Sequence, residues 1–155
     1  LDTCTIVTTA ANAPATLGAM LGMFATIGKG SLGAKVGEQI AISVAQSNSC
    51  GYCLSAHTYL GLNVARLSEA EIGAARDGHS TDPRTEAALH FARRVAETRG
   101  RVADSDLATL KAAGFDEASI VEIVVNVALN VLTNYVNNVA QTDIDFPKVS
   151  ARLAA

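Results

Sequence analysis

Residues 37–57 read GEQIAISVAQSNSCGYCLSAH, and the fold turns on how this stretch is read. A half-buried strand would alternate polar and apolar residues, and this stretch does not. On a helical wheel Ala34, Ala41, Ile42 and Ala45 fall on one face, while Gln39, Ser43 and Gln46 fall on the other. Asn48-Ser49 breaks and caps, and a new helix starts near Cys50. The reading is a helical hairpin, with Glu38 on one arm and Cys50, Cys53 and His57 on the other. Glu38 shares the apolar face of its arm. A carboxylate there is costly unless it is paired or has work to do.

Outward from the hairpin, Gly and Pro punctuate the chain into further helices. A Thr-rich lead (1–10) precedes a helix capped by Asn12 and ending about Gly28, with Leu17, Met20, Leu21 and Phe24 as its buried stripe. Ser31 is the expected cap of the hairpin's first arm, which runs to about Ser47. The second arm runs to Gly61-Leu62-Asn63. Ser68-Glu69-Ala70-Glu71 is a capping box for a short helix ending at Asp77-Gly78. Asp82-Pro83 opens a long helix that closes at Arg99-Gly100. Asp104 caps a short one ending at Gly114, and Phe115-Asp116 opens a long, nearly apolar last helix. Its asparagines, Asn126, Asn130, Asn134, Asn137 and Asn138, read as paired polar groups at packing seams. After Gln141 the tail is irregular. The fold class is all-α, about seven helices, in a single domain over residues 1–155.

The chain has 155 residues, 49% hydrophobic and 17% charged, with a mean hydropathy of +0.25. It is long enough to bury a proper core. The apolar excess, and the last helix above all, point to a homo-oligomer. No apolar run reaches membrane-spanning length, since Ile120 to Leu132 is interrupted by Glu122, Asn126 and Asn130. The net charge is -3 and the twelve basic residues are scattered without aromatic interleaving, which leaves nucleic-acid binding unsupported. Three cysteines, two of them in C-x-x-C spacing, fit a reducing compartment better than a secreted disulfide scaffold. Cys4 is left over. The expected location is cytoplasmic, with no membrane partner.

Cys50, Cys53 and His57 form the dense reactive cluster of the chain. At 100° per residue, Cys53 lies about 60° and His57 about 20° from Cys50, so all three project from one face. Cys50 sits in a first turn, where unpaired N–H groups and the helix dipole lower a thiol pKa from roughly 8.5 toward neutrality. A histidine one turn on from Cys53 can take its proton. Thiol redox chemistry, a zinc site and merely neighbouring buried cysteines are the readings open at this point. Zinc would need a fourth ligand from His79 or Glu38. His79 reads as a solvated loop residue and His90 as a packed or surface histidine.

Glu38 followed by Cys50-x-x-Cys53-x-x-x-His57 in an all-helical chain resembles the AhpD-like alkylhydroperoxidase family, grouped with the carboxymuconolactone decarboxylases. The resemblance spans roughly Ala15 to Pro147, including the ending Asn134-Tyr135-x-Asn137-x-x-Ala140-x-Thr142-x-Ile144-Asp145-Phe146-Pro147. It implies a cofactor-free, antioxidant thiol peroxidase that holds no metal. Cys53 would attack the hydroperoxide and Cys50 would close a redox-active disulfide with it. A dithiol donor, a thioredoxin-like or lipoyl protein, would reduce that disulfide. Glu38 and His57 would relay protons. It also implies assembly as trimers or hexamers. The best-known members carry a histidine where this chain has Tyr52, so Tyr52 is a possible auxiliary and one relay member is missing. The decarboxylases lack the cysteine pair, which argues against lactone decarboxylation. General disulfide reduction, or a redox-sensing or zinc-holding helical module, is the alternative.

Overall fold

The computed structural model describes residues 5–152, and Cys4 lies outside them. Its elements are α1 (Thr5–Ala10), α2 (Pro14–Ile27), α3 (Gly33–Ser47), α4 (Gly51–Asn63), α5 (Glu69–Arg76), α6 (Pro83–Thr98), α7 (Asp104–Ala112) and α8 (Glu117–Ala140). The all-α expectation holds, with no strand among the described residues and one helix more than expected. The Thr-rich lead supplies that eighth helix. Asn12 therefore lies in the turn after α1, its amide donating to the Thr9 carbonyl at 3.0 Å, and Ala13 takes the cap position of α2.

Caps whose partners lie within a turn form as the sequence requires. The Ser68–Glu71 capping box is complete, and the carboxylates of Asp82 and Asp116 accept from the backbone N–H of Thr85 and Ser119. Asp104 is instead the first helical residue of α7, with Ala103 at the cap. Ser31 does not cap α3 either. Its N–H and hydroxyl both donate to Glu122 of α8 at 2.8 Å, so a carboxylate from ninety-one residues away sits at the positive end of α3.

Helix α3 is the axle of the bundle and packs against α4, α5, α6 and α8. Neighbours on several sides bury Gln39 through Ala45 without a break, so Gln39 and Ser43 are not on a solvated face as their polarity suggests. Around Ile40, Ile42 and Val44 the core gathers Leu54, Leu89, Phe91, Ile123 and Val127. Helix α2 departs furthest from its expected packing. Only Met20 of its stripe is fully buried, while Leu21 and Phe24 are exposed. Val121, Val124, Val125, Leu132 and Tyr135 of α8 are exposed as well. At 24 residues α8 is long and apolar enough to cross a membrane by length and composition, because it continues past Leu132 to Ala140. Asn126, Asn130, Asn134 and Asn137 mark its buried side.

The irregular tail lies along α4. Val149 N–H donates to Ser55 Oγ at 2.9 Å, and the Ile144 side chain lies over Gly51 at the start of that helix. Ile144, Phe146 and Val149 pack against the core.

Candidate active site

The α3–α4 hairpin brings the expected residues together as two pairs. Cys50 and Cys53 are joined in a disulfide, with their Cα atoms 5.3 Å apart. Cys50 is itself the N-cap of α4, its sulfur accepting from the Cys53 N–H at 3.2 Å; Asn48 and Ser49 lie before it, Ser49 in the left-handed region at φ 52°. Both cysteines are buried in the core. The second pair is Glu38 and His57, whose Oε2 and Nδ1 are 2.8 Å apart, so Glu38 meets a partner across the hairpin. Their side chains are 23% and 15% exposed, enough for solvent to reach them and too little for it to screen them fully.

A cavity of about 430 Å³ opens on the Glu38–His57 side. Phe24 and Ile27 of α2, Leu32 at the start of α3, and Val121, Val125 and Leu129 of α8 give it apolar walls. Glu38, His57, Glu122, Asn126 and Asn130 supply its polar groups. Neither cysteine lines it. Helix α4 thus carries Cys53 near its start and, one turn on, the His57 that lines the cavity with Glu38.

Two further side chains touch the disulfide region. Asn137 of α8 donates its amide to Cys53 Sγ at 3.3 Å and to the Thr133 carbonyl at 2.9 Å. It reads from sequence as a seam residue; the contact joins positions eighty-four apart, which no local pattern carries. A signal was present all the same. Asn126, Asn130, Asn134 and Asn137 follow at spacings of four, four and three, a polar stripe along one buried face of an otherwise apolar helix.

Tyr52, between the cysteines, turns to the chain ends. Its hydroxyl accepts from the Ile6 N–H at 3.4 Å, and its ring meets Phe146 edge-on at 5.8 Å. It also hydrogen-bonds Asp145. Burial works to raise the Asp145 carboxyl, but hydrogen bonds from the Thr5 N–H and the Tyr52 hydroxyl outweigh it and hold the group below its ordinary value. Tyr52 therefore ties α1, the tail and α4 together. His79 and His90 do not line the Glu38–His57 cavity and lie near one another, their ring centres 6.2 Å apart.

The profile of the carboxymuconolactone decarboxylase family matches residues 14–98, more than half of the chain. No functionally curated protein matches the chain. Among solved structures, it is similar to an uncharacterized peroxidase-related protein from Silicibacter sp. TM1040, with TM-score 0.79 and 24% identity over 89% of this chain and 74% of that one. It is also similar to an uncharacterized peroxidase-related protein with an alkylhydroperoxidase AhpD core from Ralstonia eutropha JMP134, with TM-score 0.77 and 22% identity over 90% of this chain and 74% of that one. The debrominase Bmp8, solved as a cysteine variant with 2,3,4-tribromopyrrole, has TM-score 0.79 and 19% identity over 90% of this chain and 76% of its own. At such identities the likeness is one of fold.

Proposed function

We propose that this chain, which belongs to the carboxymuconolactone decarboxylase family, is a thiol-dependent hydroperoxide reductase. The observation that carries the reading is the Glu38–His57 hydrogen bond one helical turn from a Cys50–Cys53 disulfide. In the reduced protein, His57 takes the Cys53 thiol proton. Glu38 holds Nδ1, which leaves Nε2 to carry it. The thiolate attacks one oxygen of the hydroperoxide and the O–O bond breaks. Sulfur is oxidised to sulfenic acid, and the leaving alkoxide receives a proton from the imidazolium as the alcohol. Cys50 then attacks the sulfenic sulfur, water leaves, and the disulfide forms. A dithiol donor reduces it by thiol–disulfide exchange and is itself oxidised to a disulfide. The Asn137 amide is placed to stabilise negative charge on Cys53. The cavity beside His57 is the entry for an apolar hydroperoxide, and the exposed apolar faces of α2 and α8 favour a homo-oligomer that covers them.

Peroxide consumption with a small dithiol as donor tests the reading. Wild type turns over, and Cys53→Ser does not. A Cys53→Ser variant as active as wild type would sink the proposal.

A further inference from the structure

A second cluster lies on the surface at the α5–α6 junction, away from the hairpin. His79, Glu86 and His90 each bring a ligand atom to within 4.8 Å of the other two. His79 stands in the loop before α6, while Glu86 and His90 are four apart on α6 and so stack on one face. His79 Nδ1 and Glu86 Oε1 are 2.9 Å apart. A first-row divalent ion with ligand bonds of about 2.0–2.2 Å needs donors roughly 3.3–3.6 Å apart in a tetrahedral arrangement. The separations seen, 2.9 Å for His79 and Glu86 and at most 4.8 Å within the cluster, bracket that spacing.

The backbone around these ligands is pinned. Helix α5 ends in a Schellman motif, with Gly78 at φ +78° and the His79 N–H returning to the Ala74 carbonyl at 2.9 Å. Arg93 of α6 donates to the Asp77 carbonyl at 2.7 Å, locking that end onto α6. Asp82 caps α6 through the Thr85 N–H and hydroxyl, which fixes the first turn carrying Glu86. The Ser80 N–H donates to Glu86 Oε2, the carboxylate oxygen turned away from His79. Such a bond orients a ligating carboxylate and leaves its other oxygen for the metal. The neighbouring cations are engaged elsewhere: Arg93 with Glu97 at 3.6 Å, and Arg94 with Glu97 at 3.8 Å and Asp106 at 3.7 Å. Glu86 and His90 also border a hollow of about 380 Å³, with room for the water that would complete the coordination.

We infer that His79, Glu86 and His90 form a binding site for a divalent transition-metal ion of the zinc class, pinning the α5–α6 junction. Two imidazoles and one carboxylate suit such an ion better than calcium or magnesium, which favour all-oxygen shells. The site is independent of the hairpin chemistry, and its test needs no activity assay. Calorimetric titration of the disulfide-intact protein with Zn²⁺ alone is predicted to give one ion per chain. Cobalt in its place is predicted to show visible d–d bands without a sulfur-to-metal charge-transfer band. His79→Ala and His90→Ala each weaken binding by at least about tenfold, as does the near-isosteric Glu86→Gln, while His57→Ala leaves the zinc affinity where it was. Wild type that takes up no stoichiometric zinc, or binding that stays within about twofold in both His79→Ala and His90→Ala, would overturn the inference.

Discussion

Two histidine–glutamate pairs of nearly equal geometry occupy different surroundings. His57 and Glu38 meet at 2.8 Å inside the α3–α4 hairpin, their side chains 15% and 23% exposed. His79 and Glu86 meet at 2.9 Å at the α5–α6 junction, 61% and 33% exposed. The pairing atoms are the same, Nδ1 to a carboxylate oxygen. What differs is the third group. The hairpin pair has a cysteine one turn back and an apolar-walled cavity in front, which suits proton transfer to and from a sulfur. The surface pair has a second imidazole one turn ahead and open water, which suits a metal. A hydrogen-bonded His–Glu pair names no chemistry until its neighbours are counted.

The comparison breaks first at the hairpin pair. Glu38→Gln and His57→Gln are each expected to slow the reaction of reduced protein with peroxide by about 10²–10⁴, followed by stopped-flow. The double variant is expected to be little slower than either single one, because a relay acts as a unit. Additive losses would mean that the two residues work separately. Next comes Asn137→Ala, which removes the amide donated to Cys53. A hydrogen bond to a charged acceptor predicts a loss of about tenfold and a pH–rate profile moved upward, since the thiolate forms less readily without it. A slower reaction with an unmoved profile would assign Asn137 to packing alone.

On the surface side, Gly78→Ala should cost at least about 1 kcal/mol in urea unfolding. Its φ of +78° disfavours any side chain, and a Cβ there would meet Arg93 Cδ at 2.4 Å, on the side chain whose guanidinium donates to the Asp77 carbonyl beside it. The smallest effect concerns the clamp around Tyr52. The Asp145 carboxyl is depressed in the folded chain, so its contribution is present above the unfolded value of about 3.9 and is lost as pH falls through the lower folded value. The thermal midpoint should therefore drop slightly more steeply below about pH 4 in wild type than in Asp145→Asn. Asp145 is exposed, and screening keeps the difference small.

Much of this was legible in the residues. Ser68, Asp82 and Asp116 cap their helices through partners three residues on, so local spacing suffices to find them. The hairpin follows from helical periodicity in residues 34–57 and a break at Asn48-Ser49. Ser31 and Asn137 were not legible in the same way, because their partners, Glu122 and Cys53, are brought by packing from another part of the chain. Helix α2 shows the opposite failure. Its periodic Leu17, Met20, Leu21 and Phe24 mark an apolar stripe, but periodicity does not say what covers it, and within this chain most of it stays uncovered. Of the site, the residue types were readable and their division was not. Nothing in C-x-x-C-x-x-x-H says that His57 lines a cavity with Glu38 while the buried cysteines do not.

That division makes the identity of the attacking sulfur the central claim. Reduced Cys50→Ser protein, exposed to one equivalent of hydroperoxide in the presence of dimedone and then digested for mass spectrometry, tests it directly. The account predicts a dimedone-trapped sulfenic acid on Cys53, formed at the wild-type rate of the first step and absent from Cys53→Ser protein. Trapping on Cys50 in the Cys53→Ser protein, with Cys53 unmodified in Cys50→Ser, would contradict it.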